Sequence, residues 1–201
     1  MSRKKAYVNR RGLEKEIAPK IRGFVMPLVR QRVQRAIERA REQLIEDFAH
    51  HLITQEVKAG PKATNISNTL GGYGNLFSYI GFEEGSDPIP PIKKYLSRAL
   101  RLERITTGQG FGFIVKIALP NKDEVEALSP VPWAPGRSWV DAMERGLSGL
   151  GQYLKVATDA GRSGGAIQTT VDLRAGSFQR QAYLSPMLAA LEGNLLKAMR
   201  L

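Results

Sequence analysis

Apolar residues recur at three- and four-residue spacing in the stretch PLVRQRVQRAIERAREQLIEDFAHHLITQEV, which begins at Pro27. Val29, Val33, Ala36, Ile37, Ala40, Leu44, Phe48 and Leu52 fall on one side of a helix, with charged and amide side chains on the other. No glycine and no later proline interrupts the run, and Pro27 suits a first helical turn. The spacing therefore predicts an amphipathic helix over 27–57. About 30 residues at 1.5 Å each span roughly 45 Å. A helix of that length needs a partner along it, from this chain or from a neighbour.

Shorter patterned segments follow. AGPKATNISNTLGG reads as a loop. NLFSYIGF is too short for its period to separate strand from helix. EEGSDPIPP is turn material, and Pro91 opens a helical pattern, PIKKYLSRALRLERI, with Ile92, Tyr95, Leu96, Ala99 and Leu102 on one side. Alternation from Phe111 to Leu119 predicts a strand with Phe113, Val115 and Ile117 on one face. NKDEVEALSPVPWAPG reads as a long connection. Ser138 and Asp141 resemble a helix-starting cap, after which Trp139, Ala142, Met143, Leu147, Leu150 and Leu154 line a helical face weakened by Gly146, Gly149 and Gly151. A strand is expected over 166–173. In the last helix Ser185 is the expected N-cap and Pro186 the first helical residue, with Leu188, Leu191, Leu195 and Met199 on its apolar side. The fold class these elements imply is α+β: a long N-terminal amphipathic helix, a small antiparallel sheet covered by helices, and Gly/Pro-rich connecting loops. Residues 1–26, punctuated by Gly12, Pro19 and Gly23, read as a basic arm, either extended or with a short helix over 13–17. Residues 27–201 read as a single α+β domain.

Charge changes this picture. The 201 residues carry 30 Lys and Arg against 19 Asp and Glu, a formal net charge of +11. Such an excess favours acidic partners: nucleic acid, an anionic membrane or an acidic protein surface. Arg3, Lys4, Lys5, Arg10 and Arg11 supply it in the arm, and Arg30 and Arg35 extend it along the helix. These residues are the candidate contacts to DNA or to an acidic protein partner, by phosphate neutralisation rather than base reading. No zinc-finger or RNP-type reader motif accompanies them. No apolar run approaches the length of a membrane span, so no membrane partner is expected. The basic start has no apolar stretch behind it and does not read as a secretory signal.

Candidate chemistry is sparse. The chain has no cysteine, which removes disulfides, thiolate metal sites and cysteine nucleophiles. His50 and His51 are adjacent and point to different helix faces, a poor start for a metal site. TLGGYGN and TTGQGFG lack the strand–loop–helix setting of a phosphate-binding loop. Glu83, Glu84 and Asp87, and Asp123, Glu124 and Glu126, cluster in apparent loops where ordinary solvation is expected rather than paired-carboxylate hydrolysis. No catalytic residue, cofactor or metal is expected.

Three stretches carry a likeness to a known family: NLFSYIGFEEGSDPIPPI, PWAPGRSWVDAMERGLSGLGQYL and GRSGGAIQ, with YLSPMLAAL near the end. In these, and in the order of long helix, glycine-rich loop and strand–helix body over 27–201, the chain resembles the neck, tail-completion or minor tail proteins of tailed bacteriophages. The resemblance implies a structural virion protein, assembled in the host cytoplasm and not an enzyme. It would form a homo-oligomeric ring between head connector and tail, touching other neck, connector or tail proteins and, nonspecifically, packaged DNA. Sequence-independent nucleic-acid binding through the basic N-terminal region is the alternative. On the ring reading, Gly71–Ile92 is an interface element with Leu76, Phe77, Tyr79, Ile80 and Phe82 as anchors, and Trp133 and Trp139 join them. The competing reading of the same aromatics is that they fill this subunit's own core.

Overall fold

A computed structural model describes residues 10–71, 74–108, 112–145, 153–155, 166–168 and 178–199. The fold is α+β, with a long N-terminal helix and small antiparallel strand pairs flanked by helices. Helix α1 (Arg10–His50) and the short α2 (Leu52–Lys58) come first, then α3 (Leu76–Ile80) and α4 (Ile89–Ala99). Strands β1 (Arg101–Thr107) and β2 (Phe113–Ala118) form a hairpin. Helix α5 (Lys122–Ala127), the pair β3 (Pro130–Val131) and β4 (Ala134–Ser138), helix α6 (Trp139–Arg145), the pair β5 (Tyr153–Lys155) and β6 (Ala166–Gln168), and helix α7 (Leu184–Met199) complete the order.

The long helix has different bounds from those its periodicity predicts. It starts at Arg10 and continues through Pro19, Gly23 and Pro27, so most of the expected arm is helical. Both prolines are exposed, and each removes one N–H from the helical ladder. Packing holds the rod together across them. Ala18 is buried, Val29 packs on the core, and two arginines fasten α1 to the ends of β1. Arg41 Nη2 donates to the Leu100 carbonyl at 2.7 Å, and Arg22 Nη2 donates to that of Gly108 at 3.3 Å. Their separation along a helix is about 28 Å, close to the roughly 26 Å that an extended strand needs between those two carbonyls. At the other end the helix stops six residues after Leu44, at His50. His51 is extended, with φ −63° and ψ 134°, and its Nδ1 accepts from the Ile53 N–H at 3.3 Å. The second of the two adjacent histidines is thus the cap that separates α1 from α2.

Other boundaries differ for local reasons. Leu100 turns extended, and RLERI continues as β1 rather than as helix, because Ile105, Thr106 and Thr107 pair with Val115, Ile114 and Phe113 of β2. Within β2, Val115 and Ile117 pack on the core as the alternation predicts. The stretch 121–136, expected as a connection, holds α5, capped by the Asn121 side chain, and most of the β3–β4 pair. Ser138 does cap α6, its Oγ accepting from Asp141 N–H at 3.1 Å. The helical face expected to reach Leu154 does not: Tyr153–Lys155 is a strand paired with β6. Gly146, Gly149 and Gly151 lie outside the described residues, as does 169–173 of the expected strand. Helix α7 begins at Leu184, so Ser185 and Pro186 sit inside its first turn.

The core lies where α1, α2, α3, α4, α6 and α7 converge. Aromatic rings run through it in sequence: Phe48, Tyr183, Trp139, Phe82 and Phe77, with centroid separations of 6.1, 6.0, 6.1 and 5.4 Å. Beside them Glu56 of α2 is fully buried. Its Oε2 accepts from the Ser67 N–H (2.9 Å) and hydroxyl (2.6 Å), and its Oε1 accepts from the Leu76 N–H (2.8 Å). The turn after α3 is set by Gly81 at φ +90°, which lets the Phe82 N–H close onto the Phe77 carbonyl at 3.1 Å. A side chain there is excluded twice. The backbone is left-handed, and a Cβ would lie 2.9 Å from Cδ1 of Trp133, whose indole N–H donates to the Ile80 carbonyl at 2.8 Å. Gly81→Ala is therefore expected to lower stability by about 1–3 kcal/mol, seen as a lower denaturation midpoint with unchanged secondary structure.

Candidate functional site

The aromatic stretch does not form a surface. Leu76, Phe77, Tyr79, Ile80 and Phe82 are between 0 and 9% exposed within this single chain, and Trp139 is fully buried. Trp133 is half-buried and held by its bond to Ile80. Local sequence explains the inward turn. Asn75 caps α3 by accepting from Ser78 N–H at 2.8 Å, and one helical turn then directs Leu76, Phe77, Tyr79 and Ile80 into the core. The expectation of interface anchors here gives way to the core reading of the same residues. Phe82 reaches Trp139 edge-on, and Tyr79 stacks on Phe178.

What α1 leaves exposed is a different set. Ile17, Ile21, Phe24 and Leu28 are 38, 41, 83 and 64% exposed. Their spacing of four, three and four residues is that of a helix–helix seam. Single exposed apolar residues are ordinary, whereas four in a row on one helical face are not. Ile21 also meets Val25 and Phe113 at a hollow between α1 and the β1–β2 hairpin, and Ile114 on β2 is 61% exposed. The missed signal was readable in the spacing 17–21–24–28, which Pro19, Gly23 and Pro27 disguised.

Beyond Leu28 the same side of α1 becomes basic. Helix α7 packs antiparallel on α1, with Met187 near Leu44 and Asp47, and Asn194 and Ala198 further toward the α1 N-terminus. Between the two helices lies a groove of about 660 Å³ bordered by Arg32, Arg35 and Arg39. Of the charged residues singled out from sequence, Arg35 lines this groove and Arg30 is exposed on α1. Arg10 and Arg11 open α1, and Arg3, Lys4 and Lys5 lie outside the described residues.

The acidic clusters form no reaction centre among the described residues. Glu84, Asp123 and Glu124 are exposed, and Asp87 is exposed while accepting from Ile89 N–H. Glu126 is tied to Lys122 (3.8 Å) and Arg145 (3.2 Å). No group of three His, Cys, Asp or Glu able to hold a metal ion occurs among the described residues, and none of their helices is long and apolar enough to cross a membrane.

One charged cluster is structural, and it sets the position of α7. Glu144 of α6 accepts from Lys122 Nζ (2.7 Å) and from the Ser185 hydroxyl through Oε2, and from the Ser185 N–H (2.7 Å) through Oε1. The helix-capping role expected of Ser185 is thus replaced by a clasp to another helix. Burial alone would raise the Glu144 carboxyl. The hydrogen bonds from Lys122 and from the Ser185 side chain and backbone outweigh burial and hold it at about 2.

Comparison of the chain with protein-family models, with curated proteins and with solved structures finds no match.

Two outcomes are expected. Phe77→Ala removes a core ring and costs about 3–5 kcal/mol. It will appear as loss of soluble folded protein or a large fall in Tm, not as a folded chain with altered assembly. Glu144→Gln weakens the clasp by about 1.5–3 kcal/mol, the range for hydrogen bonds to a charged group. Because the folded carboxyl lies below its ordinary 4.5, its contribution is present above that value and is lost as pH falls toward 2. Stability measured across that window will fall less steeply in Glu144→Gln than in the parent.

Proposed function

We propose that this chain is a structural subunit that assembles with further copies of itself, and that the assembly is a neck or tail-completion ring of a tailed bacteriophage. The observation that carries the assembly reading is the exposed seam of Ile17, Ile21, Phe24 and Leu28 on α1. Burying one such side chain is worth roughly 1.5–3 kcal/mol, and Phe24 and Leu28 have the most surface to lose. A helix of 41 residues presents this seam on a rod roughly 60 Å long, a reach suited to meeting a neighbouring subunit. Closed symmetry then limits the number of copies. The likeness in segment order and in the glycine- and proline-rich stretches supports the more specific identity, a virion component joining head connector to tail. Its partners are other neck, connector or tail proteins. The reading assigns it no catalytic residue and no cofactor.

The test is Phe24→Asp with Leu28→Asp, measured by mass in solution and by incorporation into particles. The parent chain is expected to form a discrete oligomer, or to be present in purified virions in a fixed copy number. The variant is expected to keep its circular dichroism and to lose both. A parent that is monomeric at every concentration and absent from particles overturns the reading, as does a variant that assembles like the parent.

A further inference from the structure

Some of the described arginines have an architectural task and others do not. Those with an architectural task are occupied: Arg41 grips Leu100, Arg22 grips Gly108, and Arg145 pairs with Asp141 and Glu126. Arg32, Arg35 and Arg39 have no such task. All three are exposed, and none takes part in an ion pair among the described residues. Glu38 and Glu42 stand three residues beyond Arg35 and Arg39 on the same helix, at the spacing of a side-chain pair, yet the arginines form an ion pair with neither.

They turn into the groove between α1 and α7. At i, i+3 and i+7 the three guanidinium groups stack along one side of α1 over about 10 Å of helix axis. The groove stays open because Ala36, Ala40 and Ala198 border it with the smallest side chains. Gln31, Gln43 and Asn194 supply neutral amides, and no carboxylate lines it. We infer that this groove binds the sugar–phosphate backbone of a nucleic-acid duplex, with Arg32, Arg35 and Arg39 as the phosphate ligands.

Three features select that class of ligand. A guanidinium offers a planar fork of donors that matches phosphate oxygens. A row of such forks with amides between them matches a repeating anion better than a single one. No aromatic side chain lines the groove, so it offers unstacked bases no platform, and a duplex backbone is preferred to a single strand. Contacts to phosphates carry no base information, so binding through them is independent of sequence. The contact region lies at 32–39, downstream of the basic residues at the start of the chain. Of the four residues of the apolar seam only Leu28 borders the groove, and none of the three arginines belongs to the seam, so the arginine variants probe duplex binding apart from assembly.

The test uses the full chain and a fluorescein-labelled duplex of about 20 base pairs, with anisotropy read from about 50 to about 200 mM salt. In R32Q/R35Q/R39Q, affinity at the low-salt end is expected to fall about tenfold or more, and the slope of log K against log salt to become shallower by about 2.7, some 0.9 for each phosphate released. The matched variant K93Q/K94Q/R98Q removes three exposed charges from α4 and is expected to keep both affinity and slope. R32K/R35K/R39K, which keeps the charge, should keep most of the slope. Circular dichroism and solution mass of all three are expected to match the parent, which separates this result from failure of the seam. Parent-like binding by R32Q/R35Q/R39Q overturns the proposal, as does an equal loss in the α4 variant. Tighter binding to a single strand of equal length overturns the duplex assignment. Arginine-dependent binding to phosphatidylserine vesicles with no binding to the duplex assigns the groove to a membrane surface instead.

Discussion

A fully buried Glu56 side chain that forms no ion pair among the described residues organises this molecule. Burying the polar Glu56 side chain without partners would be costly, and only directed donors make that burial tolerable. They come from two points of one loop: the Ser67 backbone and hydroxyl on one oxygen, and the Leu76 N–H on the other. Residues 63–71 and 74–75 are thereby drawn onto α2, and α3 starts where Leu76 is held. The same loop then receives the returning chain. Gln179 N–H donates to the Thr69 carbonyl at 2.7 Å, and the Gln181 side chain donates to that of Ser67. Those bonds deliver Tyr183 to its buried place against Phe48, with its hydroxyl 2.6 Å from Thr54 Oγ1. Helix α7 leaves directly from Tyr183. The groove between α1 and α7 therefore depends, through the loop, the returning chain and α7, on the buried hydrogen bonds of one acid.

Much of the architecture was legible in the sequence, and the parts that were not share a cause. Amphipathic period placed the core face of α1 from Val29 to Phe48 and the inward side of α7, because those faces repeat over several turns. Period failed wherever the deciding contact was distant. RLERI reads as helix beside KKYLSRAL, and only the β2 partner across the hairpin makes it a strand. Pro19, Gly23 and Pro27 read as breakers. In the fold they lie on a rod pinned at Ala18, Arg22 and Arg41, and tertiary packing outweighs the local cost. His51 is the reverse case, a residue read as part of a continuous helix whose ring nitrogen accepts a backbone N–H and ends the rod.

The candidate surface was harder to read than the fold. Aromatic and apolar residues in a glycine- and proline-rich setting look like partner anchors or like core, and sequence does not say which. Asn75 and Gly81, cap and terminator of a five-residue helix, turn Leu76, Phe77, Tyr79, Ile80 and Phe82 inward. The exposed apolar groups sit instead on α1, where charged neighbours surround them. Basic residues posed a similar ambiguity. Their number announces an acidic partner, but only the structure separates arginines that brace the fold from those left facing the groove.

The row of five rings has a further consequence. The protein has two tryptophans. Trp139 lies in the middle of the row, sealed from water between Tyr183 and Phe82. Trp133 sits half-exposed over Gly81. Their emission therefore comes from two environments of unequal polarity, one dry and one wet. The row touches neither the apolar seam nor the arginine groove. Trp139 thus serves as a built-in optical gauge of the interior, readable without a label.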